Sequence, residues 1–235
     1  MKADTIKILV VDDELAIRTL IQRFLKQKGY NVIDAQCGKT ALEKFASFQP
    51  DLVILDVNLP DITGYSLCEQ MQTQKDVFVL MLTSRGDISD KIQGFSKGAD
   101  DYLTKPFNIE ELEFRVSALL KRLRSQSSTE LSSEDKSILV DGLNIDPVQR
   151  TVFFEDQEII LTALEFDLLY FLASHPHKVW RREELIKKVW DYEFIGDKRV
   201  VDVHIGQIRR KLQKFNIDTS FINTVRGVGY KFEWN

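Results

Sequence analysis

Two stretches, Ile6-Lys7-Ile8-Leu9-Val10-Val11-Asp12-Asp13-Glu14 and Leu52-Val53-Ile54-Leu55-Asp56, decide the fold. Each is a short apolar run that ends on aspartate. An unbroken apolar run, without the polar alternation of a half-exposed strand, suits a strand covered on both faces. Similar runs near Val32–Ala35, Val77–Thr83 and Asp101–Thr104 are each followed by a segment of roughly helical spacing. This alternation is the mark of βαβ units around a parallel sheet. In the first helical segment Ile17, Leu20, Ile21, Phe24 and Leu25 are expected to form one apolar stripe, with Gly29 as the stop after Lys28. The expectation is a doubly wound α/β domain of five parallel strands and five helices over residues 1–123.

From Arg124 to Ser137 the chain is rich in Ser and charged residues and poor in apolar residues, the composition of a flexible linker. Beyond it, over 138–235, the pattern changes. Short strands around Leu139, Ile145, Val152 and Ile159, separated by polar turns such as Glu155-Asp156-Gln157, read as an antiparallel sheet. Thr162 followed by Glu165 is a capping box that opens a helix through Leu168, Leu169, Phe171 and Leu172. Helical stretches follow at Arg182–Trp190 and Lys198–Lys214, then a hairpin from Phe221 to Trp234 around Arg226-Gly227-Val228-Gly229. The second domain is therefore α+β.

The 235 residues carry a net charge of −4, which by itself argues against a nucleic-acid partner. The distribution argues otherwise. Lys178 to Lys231 holds 13 Lys and Arg against 7 Asp and Glu, whereas Ile138 to His177 holds 1 against 7. A basic block can be an ordinary solvated face, so it gains meaning only if a reading element lies inside it. The apolar runs are far shorter than the roughly 20 residues of a membrane span. The N-terminus lacks the features of a secretory signal, so the protein is expected to be cytoplasmic. Cys37 and Cys68 have no metal-ligand spacing and are expected to be packing residues.

Ligands of a doubly wound sheet gather at the carboxyl ends of its strands. Asp12, Asp13 and Asp56 fall there, and Lys105-Pro106 follows the last strand. Singly, such residues are usually caps or loop residues. Together, clustered carboxylates call for a cation, and an oxygen-only set suits Mg²⁺. Asp56 would then be free to act as nucleophile while Lys105 neutralises the transferred oxygens. The stretches Val10-Val11-Asp12-Asp13-Glu14, Leu55-Asp56-Val57-Asn58-Leu59-Pro60, Thr83-Ser84 and Gly98-Ala99-Asp100-Asp101-Tyr102-Leu103-Thr104-Lys105-Pro106-Phe107 resemble the receiver domain of bacterial response regulators over about residues 5 to 123. That resemblance implies a flavodoxin-like domain phosphorylated by a sensor histidine kinase. It makes Asp56 the phosphoacceptor, Asp12 and Asp13 the acidic metal pair, and Asn58 the donor of a backbone carbonyl to Mg²⁺. Lys105 and Thr83 would contact the phosphoryl group, and Thr83 and Tyr102 would be the switch residues.

The chain also resembles the OmpR/PhoB type of regulator. Relatives of that type dimerise through the fourth helix, fifth strand and fifth helix using charge pairs across a two-fold axis. The resemblance places Lys91 with Glu111, Asp101 with Arg115, and Asp100 with Arg122 there, implying a homodimer when phosphorylated.

Between Arg199 and Lys214, Val201, Ile205, Ile208 and Leu212 form one apolar stripe, and the opposite face is read as Arg199, Val203, Gln207 and Arg210. Such side chains can read guanine, thymine and adenine in a major groove. Arg199-Val200-Val201-Asp202-Val203-His204-Ile205, Ile208-Arg209-Arg210-Lys211-Leu212 and Thr224-Val225-Arg226-Gly227-Val228-Gly229-Tyr230 resemble the winged-helix domain of OmpR/PhoB-type regulators, over about residues 138 to 235. By that resemblance Val200–Lys211 is the recognition helix and Thr224–Tyr230 the wing, with Arg226 entering the minor groove. His204, Arg209, Lys211 and Thr224 would position the DNA backbone, and the loop Trp190–Asp197 would face RNA polymerase.

The implied protein is a transcription regulator that binds promoter DNA and is not an enzyme. An adaptor working through protein contacts and a metal-dependent phosphatase on the same scaffold remain as alternatives. Salt-dependent binding to a defined promoter separates the first. Repeated hydrolysis of an outside phosphoester would mark the second.

Overall fold

The structure, a computed structural model, describes residues 5–75, 77–84, 97–127, 137–190, 198–217, 219 and 221–234. The chain divides into two compact units, Met1–Ser127 and Ser128–Asn235.

The first unit is built on β1 (Lys7–Val11), β2 (Asn31–Ala35), β3 (Leu52–Asp56), β4 (Phe78–Thr83) and β5 (Asp101–Thr104), arranged 2-1-3-4-5 and parallel throughout. Every residue of β3 and β4 is buried, as is β1 after its first. This explains the unbroken apolar runs, since helices cover both faces of such a sheet. Helices α1 (Leu15–Gln27), α2 (Gly38–Phe48), α3 (Gly64–Gln74) and α4 (Ile109–Ser127) are described. In α1, Ile21 and Leu25 are buried but Leu20 is 53% exposed, so the apolar stripe is narrower than its sequence suggests. Arg18, one turn before Ile21, takes the remaining place on the buried face. Helix α4 continues to Ser127, into the segment whose composition suggested a linker.

Chain order reverses between β1 and β3, and the crevice at that reversal is where an open α/β sheet holds its ligand. The register brings Val11 beside Leu55, so Asp12 and Asp56 emerge side by side.

The second unit holds a four-stranded antiparallel sheet of β6 (Ile138–Val140), β7 (Leu143–Asp146), β8 (Thr151–Phe154) and β9 (Gln157–Glu158) in sequential order. Three helical segments follow: α5 (Ala163–Ala173), α6 (Arg182–Leu185), which runs into a π turn at Ile186–Trp190, and α7 (Arg199–Gln213). The capping box at α5 forms as expected, with Thr162 N donating to Glu165 Oε2 at 2.8 Å and Thr162 Oγ1 accepting from Glu165 N. A second sheet runs β10 (Trp180–Arg181), β12 (Gly229–Phe232) and β11 (Ile222–Val225). The hairpin expected at the C-terminus is β11 and β12, and the short β10 adds to its edge.

Gly229 permits that addition. A Cβ there would lie 2.0 Å from the Trp180 carbonyl oxygen, against backbone that cannot yield without parting β10 from β12. Gly227 answers a different need, since its φ of +74° is a conformation that costs an L side chain roughly 1–2 kcal/mol. Gly229→Ala is expected to destabilise the C-terminal unit by about 1–3 kcal/mol through forced overpacking. Urea unfolding followed by tryptophan fluorescence checks this, and an unchanged midpoint would contradict it.

Candidate functional site: an acidic pocket and an exposed helix face

The pocket of the first unit is assembled at the carboxyl ends of β1, β3, β4 and β5. Asp12, Asp13 and Asp56 each place a carboxylate oxygen within 4.8 Å of the others. Asp12 and Asp56 are buried, while Asp13 is exposed. Lys105, just past β5, sets its Nζ 2.7 Å from Asp12 Oδ2 and 3.1 Å from Asp56 Oδ2, with Glu14 Oε1 at 3.7 Å. Its backbone N–H donates to the Thr83 carbonyl at 2.7 Å, which ties the loop after β5 to the end of β4.

Burial pushes the Asp56 carboxyl above its usual range; Lys105 opposes the shift and Asp12 adds to it. For Lys105 burial works against the charge, but Asp12 and Asp56 prevail and raise its pKa. Among the described residues, Lys105 is the ammonium that faces these carboxylates. A divalent cation fits this donor set, which is all oxygen and combines buried carboxylates with an exposed one.

The loops around the pocket are held by residues whose roles the sequence did not announce. Arg18 Nη1 donates to the Asp12 carbonyl at 2.6 Å and its Nε to Asp34 Oδ2 at 3.1 Å, fixing the turn that presents Asp12 and Asp13. The signal for Arg18 was its spacing with Ile21 and Leu25. Gly64 opens α3 so close to β3 that a Cβ would stand 2.2 Å from the Asp56 carbonyl oxygen. Asp61, in the intervening loop, accepts from the Gly38 N–H at 2.8 Å and the Lys39 N–H at 2.9 Å, and these donors lower its pKa, Gly38 foremost. The start of α2 thereby anchors the loop that carries Asn58, an exposed residue whose Nδ2 donates to Ser84 Oγ at 3.3 Å.

Thr83 is buried beside this pocket. Tyr102, paired with Met81 across β4 and β5, has its ring turned inward and buried, and its hydroxyl donates to the Met81 sulfur at 3.2 Å.

Three of the charges expected at the dimer face, Asp101, Glu111 and Arg115, meet one another within one copy. Arg115 Nη1 lies 2.9 Å from both Asp101 carboxylate oxygens, and its Nη2 lies 2.8 Å from Glu111 Oε1 one turn away. Asp101 is 1% exposed and Arg115 6%, so a partner chain cannot draw this pair apart without stranding a buried charge. Asp100 is buried as well and accepts from the Val79 N–H at 2.7 Å. Asp100, Asp101 and Arg115 are thus buried and hydrogen-bonded within a single copy. Lys91 and the Arg122 side chain lie outside the described residues. So does 191–197 of the expected polymerase-facing loop, whose first residue, Trp190, is buried.

In the second unit, α7 buries Val201, Ile205, Ile208 and Leu212, the expected stripe, but also Val200, His204 and Gln207. Two expected contact residues are corrected here. His204 is 1% exposed with its ring 5.5 Å from that of Trp190, and Gln207 is 7% exposed and accepts from Arg210 Nη1 at 3.1 Å. At 100° per residue Gln207 stands about 80° from Arg199, off the outer face. The residue on that face is Gly206.

Arg209 and Lys211 also have partners inside the domain. Arg209 Nη2 donates to Thr224 Oγ1 at 2.9 Å and to the Ile222 carbonyl, while its guanidinium lies 5.8 Å from the Tyr230 ring. Lys211 Nζ is 2.6 Å from Glu165 Oε2. At the other end of α7, Asp202 Oδ1 accepts from Arg182 Nε and from the Tyr230 hydroxyl, both at 2.6 Å. Arg199, Arg210, Thr224 and Arg226 are exposed, and Val203 is partly so.

A doubly wound domain with carboxylates and a lysine at its switch point, followed by a three-helix unit ending in a hairpin, defines the class of two-component response regulators. The comparisons agree: residues 8–117 match the response regulator receiver domain, and residues 156–232 match the C-terminal domain of transcriptional regulatory proteins. The chain is 42% identical over 231 residues to the alkaline phosphatase synthesis transcriptional regulatory protein PhoP of Bacillus subtilis, covering 97% of this chain and 96% of that one. It is 42% identical over 229 residues to the transcriptional regulatory protein ResD of the same organism, covering 97% and 95%. Among solved structures, a RitR mutant is matched with a TM-score of 0.77 at 29% identity over 98% of this chain and 100% of that one. The response regulator DrrB of Thermotoga maritima, an OmpR/PhoB homolog, is matched with a TM-score of 0.51 at 34% identity, over 98% and 100%. This chain belongs to the OmpR/PhoB family of response regulators, which join a receiver to a DNA-binding transcriptional regulatory domain. Its receiver and DNA-binding units imply a histidine kinase and promoter DNA as partners. No helix among the described residues is long and apolar enough to cross a membrane.

The Asp202 cluster carries a pH dependence. Burial, with the hydrogen bond to Asp202 next, pushes the Tyr230 phenol from its ordinary 10 up to about 12. A group whose folded pKa is raised contributes stability in full below its unfolded pKa and loses it as pH climbs through the folded one. The winged-helix unit is therefore expected to lose on the order of 2 kcal/mol between pH 10 and 12. Tyr230→Phe should flatten that limb of the stability profile, and equal slopes for variant and wild type would rule the assignment out.

Proposed function

We propose that Asp56 is the phosphoacceptor of this regulator, that Mg²⁺ is held by Asp12, Asp13, Asp56 and the Asn58 backbone carbonyl, and that the phosphorylated receiver dimerises to set the C-terminal unit on promoter DNA. The observation that carries this is Lys105 bridging Asp12 and Asp56 at the sheet's switch point. An Asp56 carboxylate oxygen attacks the phosphorus of the kinase's phosphohistidine. The phosphorus–nitrogen bond breaks, and an acyl phosphate results. Mg²⁺, when bound, screens the negative charge of the incoming group. Lys105 can follow the transferred oxygens because its ammonium already lies 3.1 Å from Asp56. Thr83, buried at the end of β4, offers a hydroxyl to the new phosphoryl group, and Tyr102 answers on the neighbouring strand.

On the DNA side, α7 is the recognition helix and Thr224–Tyr230 the wing. Arg199, Val203 and Arg210 supply the outer face, and Arg226 reaches the minor groove. Arg209 and Thr224 act jointly, because their mutual hydrogen bond joins helix to wing. In the dimer the Asp101–Arg115 pair shapes the surface of each copy from within. The protein works in the cytoplasm, engages RNA polymerase at the promoter, and turns over no outside substrate.

Incubation with acetyl phosphate and Mg²⁺ is expected to add one phosphoryl group to wild type and none to Asp56→Ala, read by intact mass. Sedimentation should show the wild type moving toward dimer. Modification of both proteins, or of neither, would refute Asp56 as acceptor under these conditions. Mg²⁺ at about 100 times its dissociation constant should also stabilise the receiver by about 2.7 kcal/mol. Asp13→Ala should remove that gain; a melting shift that survives the substitution would place the ion elsewhere.

A further inference from the structure

The outer face of α7 has a bare centre. Arg199, Val203, Gly206 and Arg210 follow one another at spacings of four, three and four, which keeps them on one side of the helix. A Cβ built on Gly206 would meet nothing within 4 Å, so no packing constraint in the fold calls for glycine there. A helix-interior glycine is nevertheless destabilising relative to alanine. Gln207 cannot fill the gap, since it is buried and accepts from Arg210.

The missing side chain limits what this position can recognise. The N–H and C=O of Gly206 belong to the hydrogen-bond ladder of α7, so they offer a base edge neither donor nor acceptor. What remains is close approach and apolar contact, with the methyl groups of Val203 one turn earlier. In the major groove the one apolar feature a base presents is the 5-methyl group of thymine. We propose that Gly206 is a specificity-determining residue: the helix backbone comes against the base edges at this step, and Gly206 with Val203 forms a shallow notch that takes a thymine methyl. The inference rests on the reading of α7 as the DNA-contacting helix.

The test uses the full phosphorylated chain, wild type and Gly206→Ala, in parallel binding-site selections from random duplexes. Wild type is expected to require a T·A pair at one position where the variant does not. By fluorescence anisotropy, Gly206→Ala should bind the wild-type duplex at least about fivefold more weakly. Its affinity for a random duplex should be unchanged. Uracil in place of that thymine should weaken the wild type similarly and leave the variant unaffected. The variant's Tm should meanwhile rise by about 4 °C or more, which a damaged fold would not show. Equal affinity of both proteins for the selected duplex, or an equal loss on selected and random duplexes, overturns the notch. If wild type selects no sequence at all, the reading of α7 falls and takes the inference with it.

Discussion

Two carboxylates cannot lie side by side in the interior of a protein as bare anions. At the ends of β1 and β3 this chain places Asp12 and Asp56 together, both buried, and a single ammonium from Lys105 stands between them. The arrangement follows from the sheet, because a strand order that reverses between β1 and β3 leaves a crevice there for two loops. Much of the nearby structure serves to keep that crevice in shape. Arg18 grips the loop after β1, Gly64 lets α3 approach β3, and Asp61 ties the loop after β3 to α2. Carboxylates crowded in this way make the pocket receptive to a cation.

The receiver pocket was legible in the sequence because Asp12 and Asp56 end apolar runs and Lys105 follows the last strand, and strand ends in a parallel sheet converge. Asp12, Asp56, Thr83 and Lys105 come together as that argument requires. The supports were harder to see. Arg18 looks like a solvated helix charge until its spacing with Ile21 and Leu25 is counted, and Gly64 gives no local sign that its Cα faces the Asp56 carbonyl. Contacts between residues distant in sequence, such as Asp61 with Gly38, have no periodicity to betray them.

The C-terminal unit shows the opposite error, in which chemistry was read too readily from residue type. His204 and Gln207 have side chains suited to nucleic acid, yet both are buried. The buried stripe of α7 is wider than its aliphatic residues alone suggest, because His204 is buried with its ring beside that of Trp190. In the first unit, Asp101 and Arg115, which fit the charge pattern of an interface, also meet each other inside one chain.

Those internal attachments fix α7 near both ends. Asp202 joins its first turn to Arg182 and Tyr230, and Arg209 and Lys211 join its last turns to β11 and to the start of α5. A helix held in this way has little orientational entropy left to surrender when it meets a partner. On the proposed reading of α7 as the DNA-contacting helix, adjustment in a complex falls to the exposed arginines, to the turn of the hairpin and to the deformability of the duplex.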